Sequence, residues 1–237
     1  MSCFKNSFII VGSLRAGKTL LRDAAQAKKE GADWIELRLD ALPRRALFDA
    51  ATVVKALRRA IKLPIIVTVR SPKEQGHLPG LERYNTDDRR KIFEEVLADA
   101  DYIDLEFSSS QLIVSLLPII RKKKKKIIFS YHDFKGMPTH KKILSLAAQF
   151  KRYSKSGDIL KVAATPKKPS DAAWLLQECA AINVANKAFI AMGKLGRISR
   201  LAGFAFGSGL TYASSKKSTA PGQWTIQELV QLRKKME

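Results

Sequence analysis

Eight short apolar runs, separated at a steady interval by longer amphipathic stretches rich in Ala, Leu, Lys and Arg, set the strongest limit on the fold. Such alternation is the pattern of repeated β-α units, in which each strand is buried and each helix covers it with one apolar face. Strands are expected at Phe8–Val11, Trp34–Leu39, Ile65–Val69, Tyr102–Glu106, Ile127–Tyr131, Ile159–Ala163, Ala188–Met192 and Phe206–Tyr212. Helices are expected at Lys18–Glu30, Ala46–Ile61, Thr86–Ala100, Gln111–Lys122, Thr139–Lys151, Ser170–Ile182, Arg197–Gly203 and Thr225–Lys235, with Thr86, Ser170 and Thr225 as N-caps. Eight such pairs in 237 residues fit an α/β fold of the (β/α)8 TIM-barrel type, a single catalytic domain over residues 1–237, slightly under the usual size of about 250 residues. A doubly wound open sheet has the same alternation and stands as the rival.

Composition narrows the class. With 46% hydrophobic residues the chain can close a sizeable core, and 43 Lys+Arg against 22 Asp+Glu give a net charge of +21, which bears on attraction to anions and not on fold. Cys3 and Cys179 are too few and too far apart for a disulfide framework or a structural zinc site. No segment approaches the roughly 20 apolar residues of a membrane span, and the first residues lack a secretory signal, so a cytoplasmic location is expected. The basic run Arg121–Lys126 falls where a helix gives way to a strand. There it reads as a solvated face that complements the helix dipole, and nucleic acid is an unlikely partner because interleaved aromatics and a recognised motif are both missing.

Two constellations could carry chemistry. Residues 12–19, GSLRAGKT, match the phosphate-loop pattern after an expected strand, but no apolar strand supplies an obvious magnesium-binding Asp, and a plain strand-to-helix turn is the favoured reading. The second set lies at strand C-termini, which converge on one mouth in a barrel. Glu36, Arg38 and Asp40 alternate on the second strand, Arg70 ends the third, and Asp104 and Glu106 alternate on the fourth. His132 closes the fifth, Lys161 sits on the sixth and Met192 ends the seventh. Lys161 is the most informative, because an ammonium inside the apolar run ILKVAA is costly unless paired or neutralised. A neutral amine there could attack a ketone and form a Schiff base; pairing with Glu36 or Glu106 is the structural alternative. His132 is the side chain best suited to move protons near neutrality, whereas His77 and His140 fall in a loop and at a helix start.

Taken in order, these residues resemble type I 3-dehydroquinate dehydratase over nearly the whole chain. Asp104-Leu105-Glu106, followed by Ile127–Asp133 (IIFSYHD), looks like the signature around that family's catalytic histidine. Further matches are Glu36–Asp40, Thr68–Arg70 with Glu74, Lys161–Ala163, Met192 with Ile198–Arg200, and Phe206–Ser208 leading to Ala220–Gln223. Gln75, Phe107 and Thr219 depart from the family's usual residues.

The resemblance implies dehydration of 3-dehydroquinate to 3-dehydroshikimate, a step of the shikimate pathway. It assigns Lys161 to the imine, His132 to proton transfer and Glu74 to orienting His132 or a hydroxyl. Arg200 and Gln223 would hold the carboxylate, and Glu36, Arg38 and Arg70 the ring hydroxyls. Thr219 would add a lid hydroxyl, and Met192 and Tyr212 would lie against the ring. The segment 214–223 reads as a lid. No cofactor and no metal are expected, and the partners are the small-molecule substrate, a homodimer as in many members, and in some relatives a fused shikimate dehydrogenase. An aldolase-like Schiff-base lyase shares the lysine logic without needing Arg200 and Gln223. A nucleotide- or nucleic-acid-binding protein rests on residues 12–19 and the charge.

Overall fold

The computed structural model describes residues 8–42, 49–74, 84–215 and 222–236. Its eight strands are β1 (Ile9–Arg15), β2 (Trp34–Arg38), β3 (Ile65–Thr68), β4 (Tyr102–Glu106), β5 (Lys126–Asp133), β6 (Ile159–Ala164), β7 (Lys187–Ala191) and β8 (Leu210–Ala213). They form one parallel sheet in the order β7-β6-β5-β4-β3-β2-β1-β8. A parallel bridge between Lys187 and Ser208, with Gly209 N–H donating to the Lys187 carbonyl at 2.8 Å, brings the two ends together. The result is a nearly closed (β/α)8 barrel, and the open-sheet rival falls away.

Helices α1 (Leu20–Glu30), α2 (Ala50–Ala60), α3 (Thr86–Val96), α4 (Ser110–Lys122), α5 (His140–Tyr153), α6 (Pro169–Ala181), the short α7 (Ser199–Ala202) and α8 (Ile226–Lys234) alternate with the strands. Among the described residues, no helix is long and apolar enough to cross a membrane. Thr225 caps α8 as expected, its side chain accepting from Glu228 N–H at 3.1 Å while the Glu228 carboxylate accepts from Thr225 N–H at 2.7 Å. The other two expected caps shift. Asn85 caps α3 in place of Thr86. Pro169 opens α6 ahead of Ser170, its missing N–H costing nothing at a first helical position.

Period-two alternation splits the buried side chains into two layers. Ile35, Leu37, Ile103, Leu105, Phe129 and Val162 face the helices, in the larger cluster. Val11, Ile66, Tyr102, Ile128, Ile159, Ala188 and Leu210 fill the barrel interior; side chains of this kind each contribute roughly 1.5–3 kcal/mol on full burial. Toward the C-terminal end of the strands the interior layer turns polar.

Two strand boundaries differ most from expectation, at the end of β1 and the start of β8. β1 runs through Gly12 to Arg15, paired with β2 from Val11↔Trp34 to Arg15↔Arg38. The first half of the phosphate-loop lookalike is therefore strand, its N–H groups are committed to a ladder, and no phosphate cradle forms; α1 starts at Leu20 and not Lys18. Phe206 belongs to a 3-10 turn, Gly203–Phe206, closed by Gly207 at φ 85°, so β8 begins only at Leu210.

Candidate active site

The polar end of the interior opens into a cavity of about 400 Å³. Every expected site residue among the described ones lines it: Lys161, His132, Glu74, Glu36, Arg38, Arg70, Arg200, Gln223, Met192 and Tyr212. Thr219 lies outside the described residues, as do His77 and most of the expected lid. The register explains the convergence. Ser13 is level with Glu36, Arg38 with Thr68, Thr68 with Asp104, Glu106 with Ser130, and Ser130 with Lys161, so alternate residues of neighbouring strands share the inner face.

Lys161 is buried, and its Nζ donates to Asp104 Oδ2 at 3.1 Å, with Glu36 Oε1 at 3.9 Å. The expected pairing is met for Glu36 but not for Glu106, which Arg70 and Arg89 occupy. The Tyr212 ring lies below the same ammonium, its centroid 4.2 Å from Nζ. Burial of Asp104 opposes its ionisation, yet the adjacent Arg70, Lys161 and His132 hold its carboxyl well below the usual carboxylate range.

His132 Nδ1 lies 2.9 Å from Glu74 Oε2, which also accepts from the His132 backbone N–H at 3.1 Å. Glu74 arrives on a single 3-10 turn, Pro72–Glu74, directly after β3. Burial pushes the Glu74 carboxyl up to about 7, against the opposing influence of Ser108 and Arg70. Burial also holds the His132 imidazole well below its ordinary value, and the nearby cations Arg70 and Lys161 add to the effect. The pair thus offers a neutral imidazole whose orientation is set from behind, the arrangement a general base needs.

Arg70 Nη1 donates to Asp104 Oδ1 and Glu106 Oε1, both at 2.9 Å. Arg38 forms a two-pronged pair with Asp40, at 2.9 and 2.6 Å. Glu36 accepts from Ser13 Oγ at 2.5 Å and Thr68 Oγ1 at 3.0 Å. Arg200 follows Ser199, whose hydroxyl donates to the Gly196 carbonyl at 2.7 Å and accepts from Ala191 N–H at 2.9 Å, fastening α7 to the end of β7. Burial lowers the Arg200 guanidinium to about 10; Nη1 donates to the Tyr212 carbonyl at 3.2 Å, and Nε has no hydrogen-bond partner among the described residues. Gln223 is placed by Gly222, at φ 78° and so close to the Gly193 carbonyl that a Cβ would sit 2.0 Å from its oxygen.

Sequence reasoning overlooked Ser13, Arg15, Phe134 and Thr165, which also line the cavity. The signal for the first two was available. Continued alternation from Val11 through Ser13 to Arg15 places them inward once the strand is allowed to pass Gly12.

A family model for type I 3-dehydroquinase matches residues 13–237. The chain belongs to that family. It is similar to the 3-dehydroquinate dehydratase of Aquifex aeolicus (strain VF5), 38% identical over 211 residues that cover 89% of this chain and 90% of that one. The crystal structure of the Aquifex aeolicus VF5 enzyme aligns with a TM-score of 0.84 at 35% identity, over 97% of this chain and 99% of that chain. A type I enzyme from Clostridium difficile, solved with covalently modified comenic acid, aligns with a TM-score of 0.86 at 27% identity, over 98% and 93% of the two chains. This type I 3-dehydroquinase chain is accordingly an enzyme of the hydro-lyase class.

Proposed function

We propose that this chain converts 3-dehydroquinate to 3-dehydroshikimate through a Schiff base on Lys161, with His132 as the proton-transfer group. The observation that carries the reading is the placement of both side chains, from adjacent strands, in one cavity with Arg200. Lys161, once it has given up a proton, attacks the substrate ketone; loss of water from the carbinolamine leaves an iminium. That cation withdraws electrons from the neighbouring carbon, whose proton passes to His132, leaving an enamine. The enamine pair expels the β-hydroxyl, which leaves as water with a proton from His132. Hydrolysis of the remaining iminium restores the amine and releases an unsaturated ketone.

Each further group has a physical part in that sequence. Glu74 fixes the His132 ring. Arg200 and Gln223 take the carboxylate, Arg200 through its planar donor fork in the cavity wall. Glu36, Arg38 and Arg70 hold ring hydroxyls. Met192 and Tyr212 lie against the ring, and Thr219 would supply a hydroxyl from the lid. The comenic acid adduct of the Clostridium difficile relative is consistent with covalent chemistry in this family. A soluble substrate and the small number of cysteines favour a cytoplasmic location.

The test is intact and peptide mass spectrometry after mixing the protein with 3-dehydroquinate and borohydride, which reduces an imine to a stable amine. The expected result is one adduct, mapped to Lys161, that is absent from Lys161→Ala along with turnover. Product formation without an adduct, or turnover retained by Lys161→Ala, overturns the mechanism.

A further inference from the structure

The basic run Arg121–Lys126 has no part in the catalytic account, and its local geometry is unusual. At the end of α4, Lys124 N–H donates to the Arg121 carbonyl at 2.9 Å and Lys125 N–H to the Ile120 carbonyl at 3.0 Å. This is a Schellman ending, in which the residue after the C-cap adopts a left-handed conformation and is most often glycine. Here it is Lys124, at φ 55°, the one non-glycine with positive φ among the described residues. Lysine in place of glycine strains the backbone and sets another ammonium at the turn.

Two members of the run have structural partners: Arg121 pairs with Asp158, and Lys125 Nζ donates to the Ala98 carbonyl at 2.9 Å. Lys123 and Lys124 have no carboxylate within ion-pair range among the described residues. Four of the run's five lysines, Lys123 to Lys126, together with Trp34 and Tyr102, line a second cavity of about 320 Å³. Trp34 opens β2, Tyr102 opens β4 and Lys126 opens β5, so this cavity lies at the N-terminal end of the barrel, opposite the catalytic mouth. The Trp34 and Tyr102 rings stack at 4.6 Å, and Lys126 Nζ lies 5.5 Å from the Tyr102 centroid. Among the described residues, Asp101 is the one carboxylate on the wall, and its Oδ2 already accepts from Arg58 and from Ile65 N–H.

A concave wall bearing several ammoniums over an aromatic floor concentrates positive potential. Ammoniums are compact point charges that can share several oxygens without the planar match a guanidinium demands. We propose that this end of the barrel binds a compact polyphosphate, free or as the tail of a nucleotide, through Lys123, Lys124 and Lys126. The site is separate from the catalytic cavity, and its occupancy does not depend on the Schiff-base reading. Its dimensions suit a short chain of phosphates and not a nucleic-acid duplex.

The experiment is calorimetric titration and thermal unfolding with inorganic tripolyphosphate at fixed ionic strength, repeated with ATP. The proteins are the unaltered chain, Lys124→Gly, Lys123→Gln and, on the remote surface of α5, Lys141→Gln. The unaltered chain should bind with saturation and gain thermal stability. Lys124→Gly should unfold at a higher temperature without ligand, because glycine relieves the left-handed strain, yet bind tripolyphosphate at least about 5-fold more weakly. Lys123→Gln should also weaken binding, Lys141→Gln should not, and kcat/KM without tripolyphosphate should be the same in all four. Tighter binding of ATP than of tripolyphosphate would place the base against Trp34; equal binding would leave the phosphates as the ligand. Absence of saturable binding, equal affinity in all four proteins, or occupation by single-stranded RNA that tripolyphosphate cannot displace would overturn the proposal.

Discussion

Lys161 Nζ donates to Asp104 Oδ2 at 3.1 Å, and through Oδ1 the same carboxylate accepts from Arg70 at 2.9 Å and from Ser130 Oγ at 2.6 Å. One fully buried anion is thereby shared by two buried cations, with Glu106 as a second partner of Arg70 and Glu36 3.9 Å from the lysine. Removing one partner of such a group leaves uncompensated charge in a low-dielectric interior, which typically costs about 3–5 kcal/mol. Asp104→Asn should therefore lower unfolding stability by about that amount and depress kcat. Urea denaturation together with steady-state kinetics checks both; unchanged stability would mean that Asp104 does not carry the charge balance assigned to it.

His132→Ala removes the proton carrier but leaves Lys161 and its carboxylate partners in place. General acid-base groups contribute typically about 10²- to 10⁴-fold to rate, so kcat should fall within that range. Covalent imine should then accumulate, seen as a larger borohydride-trapped fraction of Lys161. A variant with an unaltered rate would take His132 out of the mechanism.

Glu74 makes a pH prediction with a definite sign. Its carboxyl is raised from 4.5 to about 7 in the folded protein, so between those values the folded state binds more protons than the unfolded state. Stability from this group is fully present below about pH 4.5 and declines as pH rises through 7, by roughly 3 kcal/mol for a shift of that size. Glu74→Gln should abolish that decline, so the variant's thermal stability should gain on the parent's as pH rises from 4.5 to 8. The acid limb of kcat/KM should have an apparent pKa near 7, because protonation of Glu74 removes the carboxylate charge that strengthens its hydrogen bond with His132 Nδ1–H, and the limb should move in Glu74→Gln. Parallel pH profiles for the two proteins would show that another group sets it.

Arg200 should act chiefly on transition-state binding through the substrate carboxylate. Its guanidinium is buried, with Nε free of any hydrogen-bond partner among the described residues. Arg200→Leu should reduce kcat/KM by an amount equivalent to about 2–5 kcal/mol, the range for losing one partner of a buried charged pair. The same substitution should have little effect on a substrate analogue lacking the carboxylate. Equal losses with both compounds would assign Arg200 a structural part instead.

The architecture was largely legible in the linear order because each unit buries a short apolar strand under an amphipathic helix, which local pattern records. Lys161 and His132 were legible for a related reason: an ionisable residue in an apolar strand, or at its C-terminal end, violates the pattern unless chemistry or pairing compensates it. The end of β1 is not legible locally: Gly12 and Ser13 favour a turn, and the extension to Arg15 depends on hydrogen bonds with β2, paired from Val11↔Trp34 to Arg15↔Arg38. The start of β8 is equally hidden, since Phe206 is apolar enough for a strand, whereas Gly207 at φ 85° closes a turn there.

By itself, the amino-acid order determined the repeat of β-α units and the strand ends on which the functional side chains sit, since both follow from local hydrophobic period. Which carboxylate meets Lys161 was decided only by tertiary structure. Asp104 and Glu106 share one face of β4 and are equivalent to any local rule. The two are separated because Arg89, reaching in from α3, pairs with Glu106 alone, while Arg70, from the end of β3, pairs with both, and the β4–β5–β6 register leaves Asp104 beside the lysine. Charge pairing between distant segments depends on distance and burial, and those exist only once the barrel has closed.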